Sequence, residues 1–381
     1  MAFQDDIAKL NELYFFREFT FSQTQFYSTP QDKVELADNV VWLGDTLLVY
    51  QIKEREVADT TPEKEEQWFK SKVLKGATGQ IRETLAYLKA QSAIAMKNHR
   101  GHTFEFRPDT IRTHQKVVLY RPHKSLPASC REVRYHRSKT AGIIHIFSAG
   151  DYLGVVRTLL TPAEFADYLG FRETLIDKWE GSLARLPEQA LVGQYLSGNS
   201  ECSPSLGFVK YLEAVEHNTE DWDMSGVLDR FADRITQSTA STEYYPIVRE
   251  IALLKRNELK EVKGRLRVAM EKAKANTFVK PYTVTFPRTG CGFVFIPLTS
   301  ESLPHRRRGL QNLTHAHKYD QRLSKCVGVS LAFEGEGWYS EEWCYLEFPW
   351  AKNQTMEEML RDNNPFRDVK MTQLERYLFK A

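Results

Sequence analysis

Cysteine is scarce in this chain. Five occur in 381 residues (Cys130, Cys202, Cys291, Cys326, Cys344), and no two are spaced as Cys-x-x-Cys. An odd, scattered set argues against a disulfide framework and against a structural zinc site. Long apolar runs are missing as well: no stretch of 18 apolar residues occurs, so no membrane-spanning helix and no membrane partner are expected. The opening residues, MAFQDDIAKL, lack a basic start followed by an apolar segment, so no secretory signal is expected. Nor does one sign of charge dominate. The formal net charge of +2 gives, as a whole-chain balance, no signal for nucleic acid or membrane. Internal repeats and low-complexity segments are absent. Together these features predict a cytoplasmic protein in a reducing compartment.

The composition that remains, 42% hydrophobic and 27% charged, is that of ordinary globular cores, and the length favours two or three domains. Apolar spacing at Ile7, Leu10, Leu13 and Tyr14 predicts a helix over 5–18, and Phe19–Tyr27 alternates like an extended segment. Thr61-Pro62-Glu63 is a helix start, followed by a polar helix to Leu74. A second helix is expected from Gly76 to about Met96. Its core stripe is Ala77, Ile81, Leu85 and Leu88, and a neighbouring polar stripe holds Gln80, Thr84, Tyr87 and Gln91. Strands are predicted at 102–106, 115–120 and 141–147. Thr161-Pro162-Ala-Glu164 opens a mostly helical region, in which 257–275 is the clearest helix. Strands return at 282–286, 292–297, 327–333 and 343–348, with a helix after Arg306-Arg307-Arg308. The expected class is α/β: a domain over 1–155 with a central mixed sheet flanked by helices, a helical region over 156–276 and an α+β domain over 277–381.

One stretch carries chemistry. Val40–Leu43 and Thr46–Lys53 read as two strands joined at Gly44-Asp45, a two-residue hairpin signal. Asp38 stands at the mouth of the first strand. Leu47, Val49, Gln51 and Lys53 share one face of the second, so a buried strand turns polar on one face at its end. Hydrolysis of a phosphodiester needs an activated water and stabilisation of developing charge. Hard cations such as Mg²⁺ prefer carboxylate and carbonyl oxygens. Asp38 offers a carboxylate, Gln51 a neutral oxygen and Ile52 a main-chain carbonyl. Lys53 can orient water and stabilise negative charge. Because Gln51 brings no charge, a second carboxylate is wanted. Glu35 is nearest in sequence, and Glu18 is the alternative.

An acid at the start of one strand, a Gly-Asp turn and Gln-x-Lys near the end of the next strand resembles the PD-(D/E)xK (restriction-endonuclease-like) nuclease superfamily. Within it, the likeness is to Gln-x-Lys branches such as the Mrr-like restriction nucleases. It covers about residues 5–150 and is sharpest from Glu35 to Lys53. The usual pattern has Glu or Asp where this chain has Gln51. The resemblance implies an Mg²⁺-dependent nuclease, with Mn²⁺ as substitute, acting on nucleic acid. DNA is the expected substrate, in a bacterial restriction or antiphage system with a homo-oligomer or partner protein. It also implies a supporting role for Gln80 on the following helix. The competing expectation is a non-catalytic module that keeps the fold for binding or assembly, which the missing acid at Gln51 favours. From Arg100 to Lys139, ten Lys or Arg stand against three acids, a window able to track a phosphate backbone.

Overall fold

The computed structural model describes the backbone of residues 3–22, 25–29, 32–35, 37–55, 59–217, 219–229, 231–235, 240–368 and 370–372. Side chains are described for the same residues except 22, 25–29, 32–35, 216, 217, 229 and 234. The chain divides into two compact units. The first comprises Met1–Asn218 with Ser225–Arg234, and the second Thr219–Met224 with Ile235–Glu375. This division differs from the three-part expectation, because the middle helices do not form a body of their own. Those up to residue 217 pack in the first unit, while the long helix Arg256–Lys274 packs on the second unit's sheet.

In the first unit, helix α1 (Phe3–Phe15) precedes strands β1 (Thr20–Ser22), β2 (Gln25–Thr29), β3 (Asp32–Glu35), β4 (Asn39–Leu43) and β5 (Thr46–Lys53). Next come α2 (Pro62–Trp68), a π-helical segment (Phe69–Ala77) and α3 (Thr78–Ala90), then β6 (Ile94–Lys97), β7 (Thr103–Phe106) and β8 (Thr113–Tyr120). After α4 (Ala128–Arg131) follow β9 (Tyr135–Ser138), β10 (Gly142–Ser148), α5 (Ala149–Leu159), α6 (Pro162–Leu183), α7 (Glu188–Ser197), α8 (Lys210–His217) and α9 (Ser225–Asp229).

Six of these strands make one mixed sheet in the order β1-β4-β5-β8-β10-β9. β1, β4 and β5 are antiparallel, β5, β8 and β10 are parallel, and β9 is antiparallel to β10. The β4–β5 hairpin turns at Gly44-Asp45, as its sequence predicts. Gly44 takes φ +59°, a conformation that costs glycine little, and the Asp45 carbonyl accepts the amides that start β8. One face of the sheet is covered by the π segment and α3, through Phe69, Val73, Ala77, Ile81 and Leu88. The other is covered by α1, α5 and α6, where Phe15, Tyr152 and Phe147 gather around Phe165.

The helix expected to run to Met96 ends at Ala90. Gln91 is extended, and Ile94 and Met96 are buried while Ala95 and Lys97 are exposed. That period of two belongs to a strand, and β6 pairs antiparallel with β7. The break expected at Gly76 does not occur either. Residues 62–90 run on as one helix whose turn widens between Phe69 and Ala77.

A charged network lies inside the first unit. Arg172, Glu188 and His145 are all buried. Arg172 donates through Nη2 to Glu188 Oε2 (3.1 Å) and through Nη1 to the Arg134 carbonyl (3.0 Å), and its guanidinium lies over the Phe147 ring (4.3 Å). Arg134 reaches Asp151 (3.2 Å) and Glu188 (3.3 Å). Tyr168 also donates to Glu188. Burial alone would raise the Glu188 carboxyl, yet Arg172 and Arg134 hold it below its usual value. Arg172 Nη1 stands 3.0 Å from His145 Nδ1. Guanidinium has donors only, so His145 Nδ1 accepts and the ring is neutral with its proton on Nε2.

Burial, with Arg172 adding to it, pushes His145 down to about 4 from 6.5. The folded state refuses a proton that the unfolded chain accepts. The stability due to neutral His145 is therefore complete above pH 6.5 and lost as pH falls toward 4, about 3 kcal/mol in all. Urea denaturation at pH 7 and pH 4.5 measures the loss. His145→Gln, which keeps a neutral acceptor for Arg172, is expected to flatten the dependence.

In the second unit, α10 (Tyr245–Ala252) and α11 (Arg256–Lys274) precede β11 (Tyr282–Phe286), β12 (Cys291–Pro297), α12 (Arg306–Asp320), β13 (Lys325–Gly335), β14 (Trp338–Glu347) and α13 (Gln354–Asp362). The sheet runs β11-β12-β13-β14, with β12 and β13 parallel and joined through α12. α12 approaches β13 at Gly328, where a Cβ would lie 1.9 Å from Thr314 Oγ1. Gly328→Ala is expected to destabilise this unit by about 1–3 kcal/mol through overpacking, read as a lower melting temperature. Arg306, at the start of α12, is held within the unit. Its guanidinium donates to Ser330 and Ser340, side chains and carbonyls alike.

Candidate active site

The site forms where β4 begins and β5 ends. Asn39 pairs with Tyr50, so the residue before Asn39 stands opposite the end of β5. There the Asp38 side chain continues the ladder: Oδ2 accepts the Ile52 amide at 2.5 Å. A residue in an extended strand points its N–H and C=O to the same edge, so the Ile52 carbonyl faces the Asp38 side of β5. Gln51 and Lys53 project from the face covered by the π segment and α3, alongside Leu47 and Val49. Lys53 Nζ lies 3.8 Å from Asp38 Oδ2 and 3.4 Å from Gln51 Oε1. Three of the residues singled out in the sequence thus meet at one point.

Their surroundings are dry. Gln51 is 3% exposed, and the side chains of Asp38 and Lys53 are 14% and 20% exposed. Burial raises the Asp38 carboxyl above its ordinary value, while the Lys53 charge and the Ile52 amide offset part of that rise. A half-buried carboxylate beside an amide oxygen is a donor set of the kind a hard divalent cation takes. The residues present fit Mg²⁺, although they supply only one negative charge.

The remaining expected residues stand elsewhere or beyond description. The Glu35 side chain lies outside the described residues; its backbone ends β3. Glu18 is held by Arg100, whose Nε donates to it at 2.9 Å. The adjoining Phe19 carbonyl accepts the Trp42 amide, which sets Glu18 toward the far end of β4 from Asp38. Gln80 is exposed on α3 and makes no hydrogen bond to Asp38, Gln51 or Lys53 among the described residues.

Other residues at this end had no clear mark in the sequence. Gln4 of α1 approaches Asp38, with Nε2 3.4 Å from its carbonyl and 3.5 Å from Oδ1. Glu54 fixes the start of α1 by accepting the Phe3 amide (2.9 Å) and is itself held by Arg121 (2.6 Å). On α2, Glu65 is 1% exposed and accepts from Arg55 at 2.8 Å, while its Oε2 has no hydrogen-bond partner among the described residues. Its signal was positional. Glu65 precedes Phe69 by four residues and so lies on the buried stripe of a helix whose charges otherwise read as solvated.

The basic window is largely paired within the protein. Arg100 meets Glu18, Arg107 meets Glu105, Arg121 meets Glu54 and Asp6, Arg134 meets Asp151 and Glu188, and Arg137 meets Asp177. Arg131 donates to the carbonyls of His123, Lys124 and Leu126. A hollow of about 310 Å³ lies in the second unit, lined by Asp221, Lys260, Glu261, Arg265, Arg267 and Tyr282 among others, and includes none of the residues above. Among the described residues, no three His, Cys, Asp or Glu side chains are grouped to hold a metal, and no helix is long and apolar enough to cross a membrane. No protein-family model, no curated protein and no solved structure matches the chain.

Proposed function

We propose that the first unit is a metal-dependent nuclease hydrolysing phosphodiester bonds. The observation that carries this reading is the meeting of Asp38, Gln51 and Lys53 at the end of a buried central strand, with 3.8 Å and 3.4 Å from the Lys53 nitrogen to the two side-chain oxygens. Asp38, Gln51 and the Ile52 carbonyl would hold Mg²⁺ or Mn²⁺. Such an ion supplies Lewis acidity toward a phosphoryl oxygen. Lys53 orients the attacking water and stabilises charge that develops on the phosphate, in a site dry enough for that charge to count. Taken with the resemblance to Mrr-like nucleases, the reading extends to a DNA endonuclease of bacterial restriction or antiphage defence, acting in the cytoplasm as an oligomer or with a partner protein.

A second reading draws on one specific observation. The Lys53 ammonium already lies near both oxygens, and Gln51 brings no charge, which suits a nuclease-fold module that binds without cutting. Incubation with plasmid, linear DNA and RNA, in Mg²⁺ or Mn²⁺ and in EDTA, separates the two. Metal-dependent products support the nuclease. Retention of nucleic acid with no product in either metal supports the module.

A further inference from the structure

Lys116 of β8 is unlike the other cations of the basic window. It is 9% exposed, yet it donates no hydrogen bond and forms no ion pair with any described residue. The other two window lysines without an acid, Lys124 and Lys139, are exposed to water. Most of its stem is covered while its ammonium keeps contact with water, since Nζ is not among the fully buried polar atoms that lack a partner; a cation with no acid in ion-pair reach is thus left open to an anion from solution. The groups around it are of the same sign. His114 lies on the same face of β8 and feels Lys116 and Lys89; His136 of β9 feels Arg82. Arg82 and Lys89 are seven residues apart on α3, hence on one side of that helix, and both are exposed. Beside the Lys116 ammonium stands Gly142, whose missing Cβ would be 4.0 Å from Nζ. The carboxylate that bears on Lys116 is Glu173 of α6, beyond ion-pair distance and already 3.4 Å from His145 Nε2.

We propose that Lys116, His114, His136, Arg82 and Lys89 form a binding site for a phosphate oxyanion between α3 and the β8–β10–β9 part of the sheet. The donors match such a group: one ammonium, one planar guanidinium fork, two imidazoles and a second lysine can engage several oxygens at once. Lys116 pairs with Val49, two residues before Gln51 and on the same sheet face. His114 pairs with Leu47, so these residues lie toward the start of β5 and Gln51 and Lys53 toward its end; the proposal does not rest on the nuclease reading. The phosphate can come from a nucleic-acid backbone or from a small free anion. Burial and the neighbouring cations hold both histidines below their usual range, so they are neutral before an anion arrives. A bound phosphate is expected to raise both.

Calorimetric titration of the full chain with inorganic phosphate in low-chloride buffer, together with histidine NMR titration, tests this. The expected result is saturable binding to one site, with the His114 and His136 signals titrating at higher pH in the presence of phosphate. Lys116→Met, which keeps the length of the buried stem, is expected to weaken binding about tenfold or more. Should Lys116→Met fail to fold, the solvent-exposed pair Arg82→Ala with Lys89→Ala serves instead, with binding weakened severalfold and melting unchanged. A short DNA duplex that displaces phosphate identifies the backbone as the source, and a duplex that does not identifies a small anion. Asp38→Asn should bind phosphate as the unaltered chain does, which keeps this outcome apart from that of the nuclease reading. Absence of saturable binding, or equal binding by the substituted proteins, overturns the site.

Discussion

Lys53→Met and Asp38→Asn are each expected to reduce metal-dependent cleavage about 10²–10⁴-fold, with the fold intact. Both substitutions keep shape while removing chemistry. Methionine retains the unbranched stem of Lys53 but neither its charge nor its donors, leaving Gln51 Oε1 without the 3.4 Å ammonium. Asparagine can still accept the Ile52 amide that Asp38 takes at 2.5 Å, so the end of the β4–β5 ladder is kept and only the carboxylate charge goes. The two losses should not multiply in the double variant, because one metal-and-water assembly is broken by either change. Initial rates on plasmid DNA, with melting temperatures beside them, give the answer. Asp38→Asn cutting at the unaltered rate would remove this cluster from the chemistry.

The largest expected effect on stability lies in the opposite layer of the same sheet. Glu188→Ala is expected to cost about 3–5 kcal/mol, because it leaves the Arg172 guanidinium buried with its charge uncompensated. The Tyr168 hydroxyl loses its acceptor in the same step, and Arg134 is left with Asp151 and the Leu186 carbonyl. Arg172→Met should be comparably harmful for the reverse reason, since Glu188 then keeps one cation, Arg134, with the Tyr168 hydroxyl beside it. The double variant Arg172→Met with Glu188→Leu is expected to recover much of the loss, as apolar replacements of buried pairs often do. Urea unfolding of the four proteins closes a cycle. Simple additivity of the two single effects would show that the pair is not coupled.

Much of the fold was legible because it rests on local pattern. The alternation and Gly-Asp turn of the β4–β5 hairpin, the Thr161-Pro162-Glu164 start of α6 and the apolar stripe of α11 each state their geometry within a few residues. Thr161 Oγ1 does accept the Glu164 amide, at 3.1 Å. The misreadings came where local pattern was ambiguous. Ile94 and Met96 fit the end of a helix as well as a strand, and only pairing with β7 decides between them. The candidate site divides in the same way. Gln51 and Lys53 share a face by strand period alone, and Asp38 follows from the hairpin register. Gln4, Glu54, Glu65 and Arg121 come to the same end of the sheet or its covering helix from separate elements, and no spacing within one segment announces that. Glu18 illustrates the converse. It was close in sequence to the expected site, but the Phe19–Trp42 hydrogen bond fixes it toward the other end of β4.

The widened turn between Phe69 and Ala77 bears on how this chain can change in length. Phe69, Val73, Ala77 and Ile81 recur every four residues, and all four are fully buried. In a regular α-helix a step of four advances the side chain about 40° past a full turn, so such a stripe would drift off the sheet. The wider winding cancels the drift, and it does so by accommodating more residues per turn than the axial distance requires. This segment therefore holds slack. Loss of one residue here can be absorbed by rewinding to an ordinary helical turn, with Ile81 and Leu88 kept against the sheet. The same loss within α3 would rotate everything beyond it by about 100°.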